Sequence, residues 1–151
     1  MRMEELGMVI DPAHASPQMT EDVLSMAQNP VIVSHAGIKG INDNNRNLGD
    51  DLIIKIAGKG GGIIGIGLWD TATGSFDIQD IARSVRYVAD LAGVEHVGIG
   101  SDFDGAVRMP LESSQMAEIT EALFREGFDS QETGLIMGGN FLNLLGTILT
   151  Q

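Results

Sequence analysis

The chain contains no cysteine. That excludes disulfides, thiolate metal sites and cysteine nucleophiles. Basic residues are scarce: 9 Lys and Arg face 21 Asp and Glu, for a formal net charge of −12. A nucleic-acid binder needs a basic face. No Lys/Arg cluster exists here, so nucleic acid is not an expected partner, and the acidity favours solubility. Long apolar runs are missing as well: no stretch reaches the roughly 18 residues of a membrane span. The opening residues Met1 to Leu6 lack the apolar segment of a secretory leader. They read as the last turn of a helix stopped by Gly7. These absences lead to the expectation of a cytoplasmic protein with no membrane partner. Neither a P-loop nor a Gly-x-Ser-x-Gly elbow occurs. The glycines at 60–62 and 65 precede a strand instead of following one, which rules out a dinucleotide loop.

What is present is a set of apolar runs that end in polar residues. The chain is 43% apolar over 151 residues, enough for one core, and 1–151 reads as a single domain. Met8-Val9-Ile10-Asp11 leads to His14, and Val31-Ile32-Val33-Ser34 leads to His35. Residues 63–68 lead to Trp69-Asp70, and residues 97–101 lead to Asp102. An apolar run without alternation reads as a strand buried on both faces. Such strands belong to parallel sheets, where chemistry gathers at the carboxyl ends.

Helix signals alternate with these strands. The strands are expected at 7–11, 31–35, 62–68 and 96–100. Ser16 caps a helix with Pro17 at its first position, and Asn29-Pro30 ends it. A polar loop runs from Gly37 to Gly49, long enough to suggest function, and a short helix follows at 50–57. Residues 70–76 read as a loop. Asp77 then caps a helix whose Ile78, Ile81, Val85, Val88 and Leu91 share one face, and Gly93 stops it. A loop at 102–111 precedes helices at 114–125, 130–137 and 140–149. The pattern βαβαβαβα with extra C-terminal helices defines an α/β fold of about four parallel strands. The eight methionines read as core filler.

His14 and His35 lie one strand-helix step apart, at the mouths of adjacent strands. Imidazole suits zinc and similar ions, and the alternative of two structural histidines stays open. Asp102 at the mouth of the last strand reads as a metal ligand or general acid/base, whereas Asp104 with Gly105 reads as a turn. Arg46 can clamp a carboxylate in two-point fashion or pair locally with Asp43 or Asp50. Asp11 can orient His14 as a hydrogen-bond acceptor. His96 begins its strand, at the far end of the sheet, and reads as structural; Asp70 reads as a turn cap.

Read together, the segments resemble the renal, or membrane, dipeptidase family of the amidohydrolase superfamily. The matching blocks are Gly7 to Asp11 with His14-Ala15-Ser16, Pro30 to His35, Arg46-Asn47, Val97 to Gly105, and Gly138 to Leu142. The resemblance implies a metal-dependent dipeptidase on a (β/α)8 barrel with a two-zinc centre and a dipeptide substrate. It implies that His14 and His35 ligate one zinc, that Arg46 holds the substrate carboxylate, and that Asp102 is the catalytic acid/base. It covers only the C-terminal half of such a barrel. The family's His-x-Asp pair and its bridging Glu have no match here. Pro12 stands where Leu is usual, and Asn143 where a base is usual.

A whole barrel takes about 250 residues, so four strands are a half-barrel with open edges and an uncovered apolar face. The chain is therefore expected to form a homo-oligomer or to meet a missing N-terminal half. Its functional readings are a metallodipeptidase or fragment of one, a truncated non-catalytic homologue, and, last, a related hydrolase acting on a cyclic amide.

Overall fold

The computed structural model describes residues 2–104 and 106–149. Gly105, part of the expected turn with Asp104, and Met1, in the opening segment, lie outside them. The elements run α1 (Arg2–Glu5), α2 (Pro17–Met26), β1 (Ile32–Ala36), α3 (Asp50–Gly58), β2 (Ile63–Ile66), α4 (Asp70–Thr73) and α5 (Ile78–Ala92). A 3-10 turn at Val94–His96 leads into β3 (Val97–Ile99). A second 3-10 turn, Ser113–Gln115, then opens α6 (Met116–Arg125), followed by α7 (Ser130–Gly134) and α8 (Asn140–Leu149).

The sheet is parallel, in the order β1-β2-β3. The expected first strand at 7–11 is the main departure. It contributes a single bridge, Ile10 to Val31, in which Ile32 N–H donates to the Ile10 carbonyl at 3.1 Å. Gly7 at φ 68 turns the chain just before this segment, and Pro12 has no N–H to extend a ladder. The expected loop at 70–76 contains α4, which Gly74 ends at φ 93. Helix caps follow the sequence signals: Ser16 accepts from Met19 N–H at 3.2 Å, and Asp77 from Gln79 N–H at 3.0 Å.

One sheet face carries Val33, Ile64, Ile66 and Val97. It packs with Leu24, Ile53, Ile56, Ile81, Val85, Val88, Ile119 and Leu123 from the surrounding helices. Each large aliphatic side chain buried there contributes about 1.5–3 kcal/mol. The helices cover this face because each presents its apolar stripe to it; on α5 the stripe is Ile81, Ala82, Val85 and Val88.

The opposite face carries Ile32, Ser34, Ile63, Gly65 and Gly98. It lines a 250 Å³ cavity that Ile136, Met137 and Phe141 close from the far side. This face is not bare, as a half-barrel would suggest, because Leu144 and Ile148 of α8 pack on Ile63. A bend at 135–139, where Gly138 takes φ 151, turns the chain into α8. Asn140 anchors it: its buried Nδ2 donates to the carbonyls of Val94 at 2.7 Å and Val97 at 2.8 Å. The buried amide thus satisfies two carbonyls that would otherwise be orphaned.

Candidate functional site

The sheet brings the polar residues together because parallel strands end on the same side. His35 is the penultimate residue of β1, Trp69 and Asp70 follow β2, Asp102 follows β3, and His14 follows the Ile10 bridge. Two glycines tighten this rim. A Cβ on Gly65 would lie 2.1 Å from the Ser34 carbonyl oxygen, and one on Gly100 would lie 2.0 Å from the same atom. Without side chains at 65 and 100, the sheet curls until Gly100 approaches β1 across β2.

At the rim, His14 Nε2 and His35 Nε2 face each other at 3.0 Å, with ring centroids 4.8 Å apart. Asp102 Oδ1 lies 3.9 Å from His35 Nε2. Asp102 adopts φ 58, a left-handed conformation that costs a non-glycine residue energy and is concentrated at functional sites. His35 Nδ1 pairs with Ser34 Oγ at 2.9 Å. Arg46 Nη2 donates to the His35 carbonyl at 2.7 Å, and its guanidinium carbon sits 5.7 Å from the Trp69 ring centre. The local pairs with Asp43 or Asp50 do not form among the described residues. The Arg46 loop is held by Asn47, whose buried Nδ2 donates to the Asn42 carbonyl at 2.7 Å.

Electrostatics favour a neutral His35. Burial, first, and then the charges of Arg46 and His14, push its pKa below the ordinary 6.5, against the pull of Asp102 and Asp11. Burial also lowers the Arg46 pKa, opposed by Asp102 and Asp11; a guanidinium starts so high that it stays charged. The neutral imidazole is the ligand form.

The donor set can be tested against a metal ion. Two nitrogens on one tetrahedral ion lie about 3.3 Å apart, given bonds of 2.0–2.1 Å, close to the 3.0 Å between the two Nε2 atoms. With Nδ1–H of His35 donating to Ser34 Oγ, its Nε2 lone pair is free to bind. The two imidazoles fit as half of a site. Among the described residues no group of three or more His, Asp or Glu forms a complete one.

Asp11 does not touch His14; its Oδ1 accepts from the Ala13 and Ser34 amides. Asp104 is a turn residue, accepting from Ala106 N–H at 2.8 Å. His96 lies at the opposite end of the sheet, its Nδ1 paired with the Gly62 carbonyl at 3.0 Å. Asp70 is the first residue of α4, and its Oδ1 accepts from Thr71 N–H at 2.8 Å. Trp69 went unassigned in the sequence, although it is the chain's one tryptophan and closes a buried run. Its ring centre is 5.9 Å from that of His35, in space that a side chain on Gly67 would fill. Nothing in the sequence marks Ser34.

The profile of the family described as "Membrane dipeptidase (Peptidase family M19)" matches residues 1–150. Dipeptidase aclJ of Aspergillus oryzae is 32% identical over 154 residues, covering 97% of this chain and 36% of that protein. Dipeptidase 3 of Mus musculus is 32% identical over 149 residues, covering 94% and 30%. A metallopeptidase from Rhodobacter sphaeroides, solved with a phosphinate mimic of the dipeptide L-Ala-D-Ala, superposes with a TM-score of 0.89 at 22% identity. It is covered over 44% of its length by 97% of this chain. The fold is thus half of a parallel (β/α) barrel, and the chain spans about a third of these two relatives' length. No helix among the described residues is long and apolar enough to cross a membrane.

Proposed function

Because the chain belongs to the membrane dipeptidase family, peptidase family M19, we propose that it is the C-terminal half of a metal-dependent dipeptidase site. The observation that carries this reading is the convergence of His14, His35 and Asp102, with contacts of 3.0 and 3.9 Å, beside the half-buried Arg46. His14 and His35 would hold one ion of a two-zinc centre through their Nε2 atoms. When bound, such an ion supplies polarisation of the scissile carbonyl and acidifies a water molecule. Asp102 takes a proton from the attacking water and returns it to the leaving amine. Arg46 receives the dipeptide's C-terminal carboxylate; its fork geometry suits that group, and its bond to the His35 carbonyl holds the fork beside the metal ligand. The remaining ligands, which the family resemblance assigns to a His-x-Asp pair and a bridging Glu, would come from polypeptide outside these 151 residues.

The test is metal analysis of the purified chain together with a dipeptide hydrolysis assay, with His35→Ala as control. Retained zinc and hydrolysis above the control support the enzyme reading. No metal and no hydrolysis above the control reject it for this chain.

A second reading is a homologue that assembles without a complete metal centre. It is favoured by the lack of a group of three metal-holding residues among the described ones. Both readings expect association, as a homo-oligomer or with an N-terminal half. Phe141, Leu142 and Leu149 are exposed on and beside the segment that closes the apolar cavity. Sedimentation at micromolar concentration should find more than monomer. Added salt should strengthen the association by screening the −12 charge. A well-folded monomer under both conditions argues against it.

A further inference from the structure

Asp11 makes a contact that its place in the sequence does not suggest. One oxygen, Oδ1, accepts from the Ala13 amide at 3.0 Å and from the Ser34 amide at 3.1 Å. Each amide belongs to the residue immediately before a histidine. The two histidines are 21 positions apart and sit on separate segments. Among the described residues, the hydrogen bonds joining residues 11–15 to 33–36 are the Asp11 to Ser34 bond and the imidazole contact itself.

The geometry is built to be stiff on both sides of this oxygen. Pro12 fixes one backbone angle between Asp11 and Ala13. Ala15 N–H closes back on the Pro12 carbonyl at 2.9 Å, a tight turn with His14 at its third position. On the other side, Ser34 extends the contact to the second ring, since its Oγ pairs with His35 Nδ1 at 2.9 Å. An ionised carboxylate oxygen has lone pairs enough for two donors, and its charge makes such bonds about twice as strong as neutral ones.

We propose that Asp11 is a positioning residue: by holding the amides of Ala13 and Ser34 on one oxygen, it sets the approach of the His14 and His35 Nε2 atoms. The inference deepens the proposed function and rests on reading the two histidines as metal ligands. Asp11 touches neither ring, and acts on both through the backbone.

The experiment compares the wild-type chain, Asp11→Asn and Asp11→Ala. Imidazole ¹⁵N spectra are recorded without metal, and Co²⁺ titrations are followed by absorption and by quenching of Trp69. In the wild type the facing rings should show complementary tautomers, one Nε2 protonated and the other bare. Asp11→Ala should average the tautomers and weaken Co²⁺ binding about 10–100-fold, the usual cost of losing a group that supports a ligand. Asp11→Asn, which keeps an oxygen acceptor, should restore most of the loss. An unchanged imidazole spectrum and Co²⁺ affinity in Asp11→Ala overturns the proposal, and so does an Asn variant as damaged as the Ala one.

If Asp11→Ala does not fold, amide exchange in the wild type decides. Slow exchange at both Ala13 and Ser34 supports the clasp, and unprotected exchange at either overturns it. The two readings part cleanly. Wild-type rings that pair but bind no Co²⁺ remove the metal reading and leave the clasp. Co²⁺ binding undiminished in Asp11→Ala removes the clasp alone.

Discussion

His35→Ala is expected to weaken Co²⁺ or Zn²⁺ binding by at least about a hundredfold, beyond the 10–100-fold typical of losing a supporting group around a ligand. The donor count sets the size of the effect. The chain offers two imidazole nitrogens 3.0 Å apart and one carboxylate oxygen 3.9 Å from His35 Nε2. Removing His35 leaves a single imidazole, and the carboxylate loses the ring it faces. His35 is also the better prepared of the two imidazoles. Ser34 Oγ fixes its Nδ1 at 2.9 Å, and burial keeps its pKa below the ordinary value, so it reaches neutral pH already deprotonated. Calorimetric titration of the wild-type and variant chains measures the effect. Equal affinities would mean that the ion binds elsewhere, and the proposed centre would be lost with it.

Gly100→Ala is expected to destabilise the chain by about 3 kcal/mol, the upper end of the range for overpacking. A Cβ at this position would lie 2.0 Å from the Ser34 carbonyl oxygen and 2.9 Å from the His35 Cα. Both are backbone atoms of β1, so no side chain can swing away to make room. Relief requires β1 to move from the end of β3, which flattens the curl of the sheet and carries His35 away from Asp102. The variant should therefore lose metal affinity as well as stability. Urea unfolding followed by circular dichroism gives the first quantity and metal titration the second. A midpoint within error of wild type would show that the rim is looser than its packing implies.

The readable part of this molecule was its strand ends. Ile63–Ile66 and Val97–Ile99 lie inside the apolar runs that announced them, and Ile32–Ala36 extends one residue past its run. The residues that follow them reach one rim, because parallel strands cannot end anywhere else. The caps at Ser16 and Asp77 were equally legible, since a side-chain oxygen two or three residues before an orphan amide is a local matter. The first strand was not. Residues 7–11 carry the apolar pattern of a strand, yet they form one bridge. Gly7 turns the chain just before this segment, and Pro12 gives no amide to continue it. Helix α4 has no side-chain cap and is a single turn ended by Gly74, too short a pattern for periodicity to register.

The site divides in the same way. His14, His35, Asp102 and Arg46 were singled out by residue type and place, and all four stand at the same end of the sheet. Asp11 was singled out for a contact it does not make. It serves the histidines through the amides before them, and no residue pattern encodes a bond between one carboxylate and a backbone 23 positions away. Trp69 reaches His35 only because β1 and β2 lie side by side, whereas the Ser34 contact with His35 is between neighbours in one strand.

By itself the amino-acid order determined which polar residues follow the buried runs and on which side of a parallel sheet they must emerge, because burial on both faces leaves a strand no polar outlet but its end. Tertiary structure alone decided how near they come. That distance depends on two missing side chains at positions 65 and 100, one shared carboxylate oxygen at 11, and the curl they allow, all of them contacts between segments far apart in the chain.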